Sequence, residues 1–142
     1  YKYNTTDIQS AIGLVQLKKL EWMKDKRKII ATAYLNALAG KIECINEPDN
    51  CDSSWHLFVI KVNNRDVLFK KLKENGISTS VHFIPIHKHP YYKERFAYSD
   101  RDYPIANNVY EKSLSLPIYP GLNNDEVSYI IKHVLQYAEH IN

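Results

Sequence analysis

The sequence predicts an α/β fold: a small α/β sandwich with a short, mainly antiparallel sheet, helices on one face, and a long N-terminal bridging helix. Three observations predict it. Apolar residues recur at helical spacing in two stretches, from Ile8 to Leu38 and from Val127 to Ala138. Between them lie two β-like segments, residues 53–62 and 77–83, separated by a short amphipathic helix. A third apolar segment, residues 115–119, carries Pro117, which confines it to an edge or an extended path. Helices bury a stripe and sheets bury a face, so this order of elements closes into two layers.

The first forty residues organise the rest. Thr5 or Thr6 suits a helix N-cap, where a hydroxyl accepts a bond from an orphan N–H of the first turn. Asp7 follows where the helix dipole favours negative charge, and Gly40 supplies a left-handed stop. Within this single predicted helix the apolar pattern changes. Ile8, Ala11, Ile12 and Val15 follow one face, and Leu14 and Leu17 widen it until little of the circumference is polar. Residues 18–28 are dense in charge. From Ile30 the stripe narrows to Ala33, Tyr34, Ala37 and Leu38, a normal one-sided helix. Such a helix leaves one packing environment and enters another, so its first half is expected to contact something beyond this domain. Gly13, within the most apolar part, costs up to ~1 kcal/mol of helix propensity relative to Ala.

Residues 41–54 read as a loop, with turn signals at Pro48, Asp49 and Asn50. Residues 53–62 form a near-continuous apolar strand, central in the sheet, with His56 as a satisfied core histidine. Residues 66–75 form a helix closed by Asn75-Gly76. Residues 77–83 alternate, with Ile77, Thr79, Val81 and Phe83 on one face and Ser78, Ser80 and His82 on the other. A Pro-, His- and Tyr-rich connection follows, then a short helix with Pro90 at its first position and another over residues 104–114. Asn123 or Asn124 caps a final helix faced by Val127, Ile130, Ile131, Val134 and Leu135.

Composition narrows the function. A length of 142 residues suits one domain with a real core. A net charge of +3 is too small to argue for nucleic acid. No apolar run approaches the ~20 residues of a membrane span, and no signal-peptide pattern is present, so a cytoplasmic protein is expected. Cys44 and Cys51 do not make a disulfide framework and are expected to be reduced. The chain opens at Tyr1 inside a motif-like segment, which predicts a fragment of a longer protein.

The chemistry-bearing residues fall in two places. Asn4 either helps cap the first helix or serves a ligand. His82, His87 and His89 lie within eight residues of one another. Imidazoles and tyrosines in such a loop can hydrogen-bond the polar groups of a ligand. The alternatives are a strand-face His82 bonded to backbone and a surface His89. Three histidines also suggest a metal, but the spacing matches no common zinc pattern and none is expected. Of the eleven tyrosines, Tyr3, Tyr91 and Tyr92 are the ones placed to meet a ligand; Tyr34, Tyr110, Tyr119, Tyr129 and Tyr137 fall on helices or near core positions.

Four segments together, YKYNTTDIQSAIGLVQLKKL, SSWHLFVIKV, LKENGISTSVHFIPIHKHPYYKERF and SLSLPIYPGLNNDEV, resemble in order and spacing the carboxy-terminal part of the DegT/DnrJ/EryC1/StrS aminotransferases. These are pyridoxal-phosphate enzymes that aminate keto-sugar nucleotides. The resemblance implies that residues 1–142 are the small domain, with residues 1–40 as a cofactor-loop segment and bridging helix. It implies an upstream large domain, absent here, that holds the cofactor-bearing lysine; no catalytic residue is expected in this chain. It further implies a homodimer in which the YKYN segment reaches the neighbour's cofactor phosphate. Many members have Asn before the second Tyr and Arg after it. Here those positions hold Lys2 and Asn4, and both are candidate phosphate ligands. Tyr3, His82, His87 and Tyr91 resemble contacts to the nucleotide sugar. The implied reaction takes its amino group from glutamate, in surface-polysaccharide, lipopolysaccharide or deoxysugar synthesis. The alternative is a non-catalytic module that binds a ligand or dimerises.

Overall fold

The computed structural model describes residues 3–140. In order it comprises α1 (Asp7–Leu17), α2 (Leu20–Leu38), β1 (Glu43–Cys44), β2 (Phe58–Lys61), α3 (Arg65–Glu74), α4 (Pro90–Phe96), α5 (Pro104–Lys112), β3 (Ser113–Leu116) and α6 (Asn124–Tyr137). Single 3-10 turns lie at Ile86–Lys88 and Asp100–Asp102.

Strand register decides where the core sits. The sheet runs β1-β2-β3 and both pairings are antiparallel. Phe58 faces Leu116 and Ile60 faces Leu114, so these four buried side chains share one side. Three helices cover it. α2 contributes Ile30, Ala31, Tyr34 and Leu38, α3 contributes Leu68 and Leu72, and α6 contributes Val127, Ile130 and Val134. Tyr34 is fully buried, and its hydroxyl donates to the Pro117 carbonyl at 2.8 Å. That bond satisfies the one polar atom this ring brings inside. Burial, with Tyr119 nearby, pushes the phenol above its ordinary pKa.

The opposite side of the sheet carries Val59, Lys61, Ser113 and Ser115. β3 is an edge strand, as Pro117 implies, but it covers Ser113–Leu116 rather than residues 115–119: it starts two residues earlier, where α5 ends, and stops before the proline. Its outer edge is met at one point, where Ser80 and Ser115 exchange both backbone bonds, at 3.2 and 2.8 Å.

Several expectations are corrected. The first helix is two helices. The Lys19 N–H turns back to the Gln16 carbonyl at 3.0 Å, a tightened turn that closes α1 before α2 begins. Gly13 stays inside α1. Residues 53–62 supply only a four-residue strand, because Trp55 takes a left-handed φ of 46° and its N–H bonds Ser53 Oγ. That turn buries Trp55 and leaves His56 exposed rather than in the core. Residues 77–83 form one bridge instead of a strand. The predicted loop 41–54 contains β1, which crosses to β2 through the Lys61–Glu43 ion pair. Tyr119 is about half exposed rather than near the core. The last helix begins as expected: Asn123 Oδ1 accepts from the Glu126 N–H at 2.9 Å, and Glu126 Oε2 accepts from the Asn123 N–H at 2.8 Å.

The most apolar helix is the least buried. No residue of α1 is buried, and Ile8, Ile12, Leu14, Val15 and Leu17 are all more than half exposed. Among the described residues no helix is long and apolar enough to cross a membrane.

Both cysteines are free thiols in different surroundings. Burial, then Glu43, pushes Cys44 up to about 11, whereas Cys51 is exposed. The thiolate is the reactive form. Iodoacetamide at pH 8 is therefore expected to label Cys51 about tenfold faster than Cys44, or more, read by peptide mass mapping. Equal rates would contradict this placement of Cys44.

Candidate functional site

The amino-terminal group is built on the start of α1. Thr6, not Asn4, is the cap: its Oγ1 accepts from the Gln9 N–H at 3.3 Å, and Gln9 Oε1 accepts from the Thr6 N–H at 3.0 Å. Asn4 is exposed, and its carboxamide makes no hydrogen bond among the described residues. That removes capping as its role and leaves two N–H donors facing outward. An exposed carboxamide fits an anion's oxygens. Tyr3 is 86% exposed. Lys2 lies outside the described residues.

The second group occupies the connection between Ser80 and β3. His82 is half-buried, and its Nδ1 lies 2.9 Å from Ser115 Oγ on the sheet side away from the core. Its partner is thus a side-chain hydroxyl and not the backbone. His87 is deeply placed, with 6% exposure. Its Nε2 lies 2.9 Å from Asn107 Oδ1, and Tyr103 stacks on its face at 4.6 Å. His89 is exposed, bonded to the Ile84 carbonyl at 3.2 Å. Tyr91 is 66% exposed and begins a run of ring contacts through Tyr92, Phe96, Tyr98 and Tyr103 to His87.

Charge fastens this connection from below. Lys88 Nζ bonds Asp100 at 2.8 Å, which holds the Asp100 carboxyl below the usual carboxylate range. Ser99 bonds Asp102 through backbone and hydroxyl, lowering that carboxyl too. Among the described residues no three His, Cys, Asp or Glu side chains are grouped to hold a metal ion.

The structure therefore brings His82, His87 and Tyr91 onto one connection, and no described hydrogen bond or ion pair joins Asn4 to them. None of them lines the 460 Å³ concavity between Gly76–Ser78 and the start of α6. Tyr91 stands on open surface, His82 is half-buried and His87 is buried. Sequence reasoning passed over Asn107, Tyr103 and Ser115. The available signal was an asparagine four residues after Tyr103 and three before Tyr110, a polar residue between aromatics on one helical face.

This fold is that of the small domain of sugar aminotransferases. The putative sugar aminotransferase Spr1654 of Streptococcus pneumoniae superposes with a TM-score of 0.89 at 30% identity, over 96% of this chain and 36% of that one. PseC of Helicobacter pylori, an aminotransferase involved in pseudoaminic acid biosynthesis, gives 0.87 at 27% identity, over 96% and 38%. The chain belongs to the DegT/DnrJ/EryC1/StrS aminotransferase family, whose model matches residues 1–135. The spore coat polysaccharide biosynthesis protein SpsC of Bacillus subtilis is 42% identical over 144 residues, 94% of this chain. The chain spans 37% of the length of SpsC.

Proposed function

We propose that this chain is the carboxy-terminal part of a pyridoxal-phosphate-dependent aminotransferase that passes an amino group from glutamate to a keto-sugar nucleotide. The observation that carries the reading is the family match over residues 1–135 on a superposable fold. Spr1654 is described in both pyridoxal and pyridoxamine phosphate forms, which supports the cofactor. SpsC supports a product destined for a surface polysaccharide. On this reading the enzyme is a cytoplasmic homodimer with shared sites, and residues 1–40 are its cofactor-loop segment and bridging helix.

Bound, the cofactor supplies the electron sink that lets an amino group change carbons. This chain's residues bind and orient. Asn4 donates its unpartnered amide hydrogens to a phosphate oxygen, and Lys2 brings positive charge beside it. His82, His87, Tyr91 and Tyr3 border the nucleotide sugar, Tyr91 and Tyr3 from open surface, so the pocket needs a facing wall from the large domain or the second subunit. α1, with its apolar face outward, is where that body docks. Residues 1–142 alone catalyse nothing on this reading.

The test uses the full-length protein that carries this segment, purified with pyridoxal phosphate. A borohydride-sensitive visible band that glutamate converts to the aminated cofactor's spectrum is expected. A protein with an intact upstream domain that shows no such band would overturn the catalytic reading and favour a binding or dimerising module.

A further inference from the structure

Two buried polar side chains meet in the connection ahead of β3, and their pairing has a direction. Asn107 Nδ2 donates to the main-chain carbonyl of Asp100. A carbonyl only accepts, so this bond fixes which end of the carboxamide is which. The end left facing His87 is Oδ1, 2.9 Å from Nε2. An amide oxygen also only accepts. The proton of that bond therefore belongs to His87 Nε2. Tyr103, stacked at 4.6 Å with the planes 25° apart, opposes a turn of the imidazole that would exchange its two edges. Among the described residues nothing bonds His87 Nδ1. In the neutral ring that nitrogen is a free acceptor.

We infer that Asn107 is a positioning residue: it holds His87 in the Nε2–H form, so that the ring offers Nδ1 as a hydrogen-bond acceptor. The ligand group this selects is a donor, a sugar hydroxyl or an amide N–H, and not a phosphate oxygen. The inference deepens the nucleotide-sugar reading and rests on it for the ligand. The remaining charges around the ring are Lys88, Asp100 and Asp102. Asp100 Oδ1 lies 3.8 Å from Nε2, while the other oxygen of that carboxylate, Oδ2, is bonded to Lys88, so the carboxamide at 2.9 Å makes the closer contact.

The test is made on the histidine-labelled chain at pH 8, above the ordinary imidazole range. Long-range 15N–1H spectra distinguish the two neutral forms, and the His87 signals are identified by their loss in His87→Gln. Wild type is expected to show an unprotonated Nδ1 and a protonated Nε2, widely separated. Asn107→Leu removes the acceptor and is expected to collapse that separation toward a mixture. Asn107→Asp keeps an acceptor and is expected to restore it. An Nδ1–H form in wild type, or a leucine variant with the wild-type pattern, overturns the proposal. If the leucine variant does not fold, wild type and Asn107→Asp decide. These spectra need neither cofactor nor turnover, so a failed aminotransfer assay is distinguishable from a failure here.

Discussion

Phe58→Ala is expected to remove about 3–5 kcal/mol of stability, the cost of deleting a buried aromatic and leaving a cavity. Small domains hold only about 5–15 kcal/mol in total, so this one change takes a large share. The reason lies in where three contacts meet. Phe58 is fully buried on the core side of the central strand, 4.9 Å from the Tyr34 ring and 5.7 Å from Trp55, opposite Leu116 on β3. Its loss opens the join between α2, the sheet and the turn at Trp55 together. Urea unfolding should show a lower midpoint with an unchanged slope. Phe83→Ala is the control, at a side chain 77% exposed, and is expected to stay within about 0.5 kcal/mol. Equal losses at the two positions would contradict the placement of the core.

Replacing Ile8, Ile12 and Val15 together by glutamate is expected to abolish self-association of the chain. All three are exposed in α1, with Leu14 and Leu17 widening the same apolar surface. Contiguous exposed apolar surface of this kind marks a contact site. Losing even ~1.4 kcal/mol of burial on association is a tenfold change in affinity, and three side chains exceed that. Light scattering should show concentration-dependent association for wild type and a monomer for the variant. At concentrations low enough to dissociate the wild type, thermal melts should agree, because no core residue changes. A wild-type chain that stays monomeric at high concentration would sink the idea that α1 is a docking face.

What the sequence made legible follows from how each element is stabilised. α6 was readable because its cap is local, Asn123 with Glu126, and its apolar face is clean. The central strand was readable from its apolar run, but its start was not: the left-handed turn at Trp55 has no glycine to announce it. The break between α1 and α2 was hidden for a related reason. Lys18 and Lys19 are good helix formers, and Gly13, the residue that invites suspicion, stays helical. At the site, the three histidines drew attention by spacing, yet what distinguishes them is their partners. Ser115 sits 33 residues beyond His82, and Asn107 sits 20 beyond His87. Such pairings are created by the return of the chain through β3 and α5, and no local pattern encodes them.

The break at Lys18–Lys19 makes α1 a lever. With 11 residues the helix is about 16 Å long, so about 10° of rotation at its base carries its far end about 3 Å. Asn4 and Tyr3 ride at that end, just ahead of the Thr6 cap. Their reach is therefore set by the backbone torsions of two lysines and not by the core beneath α2. Insertion of a single residue at this point would swing the tip to another bearing while leaving every contact of the sandwich in place.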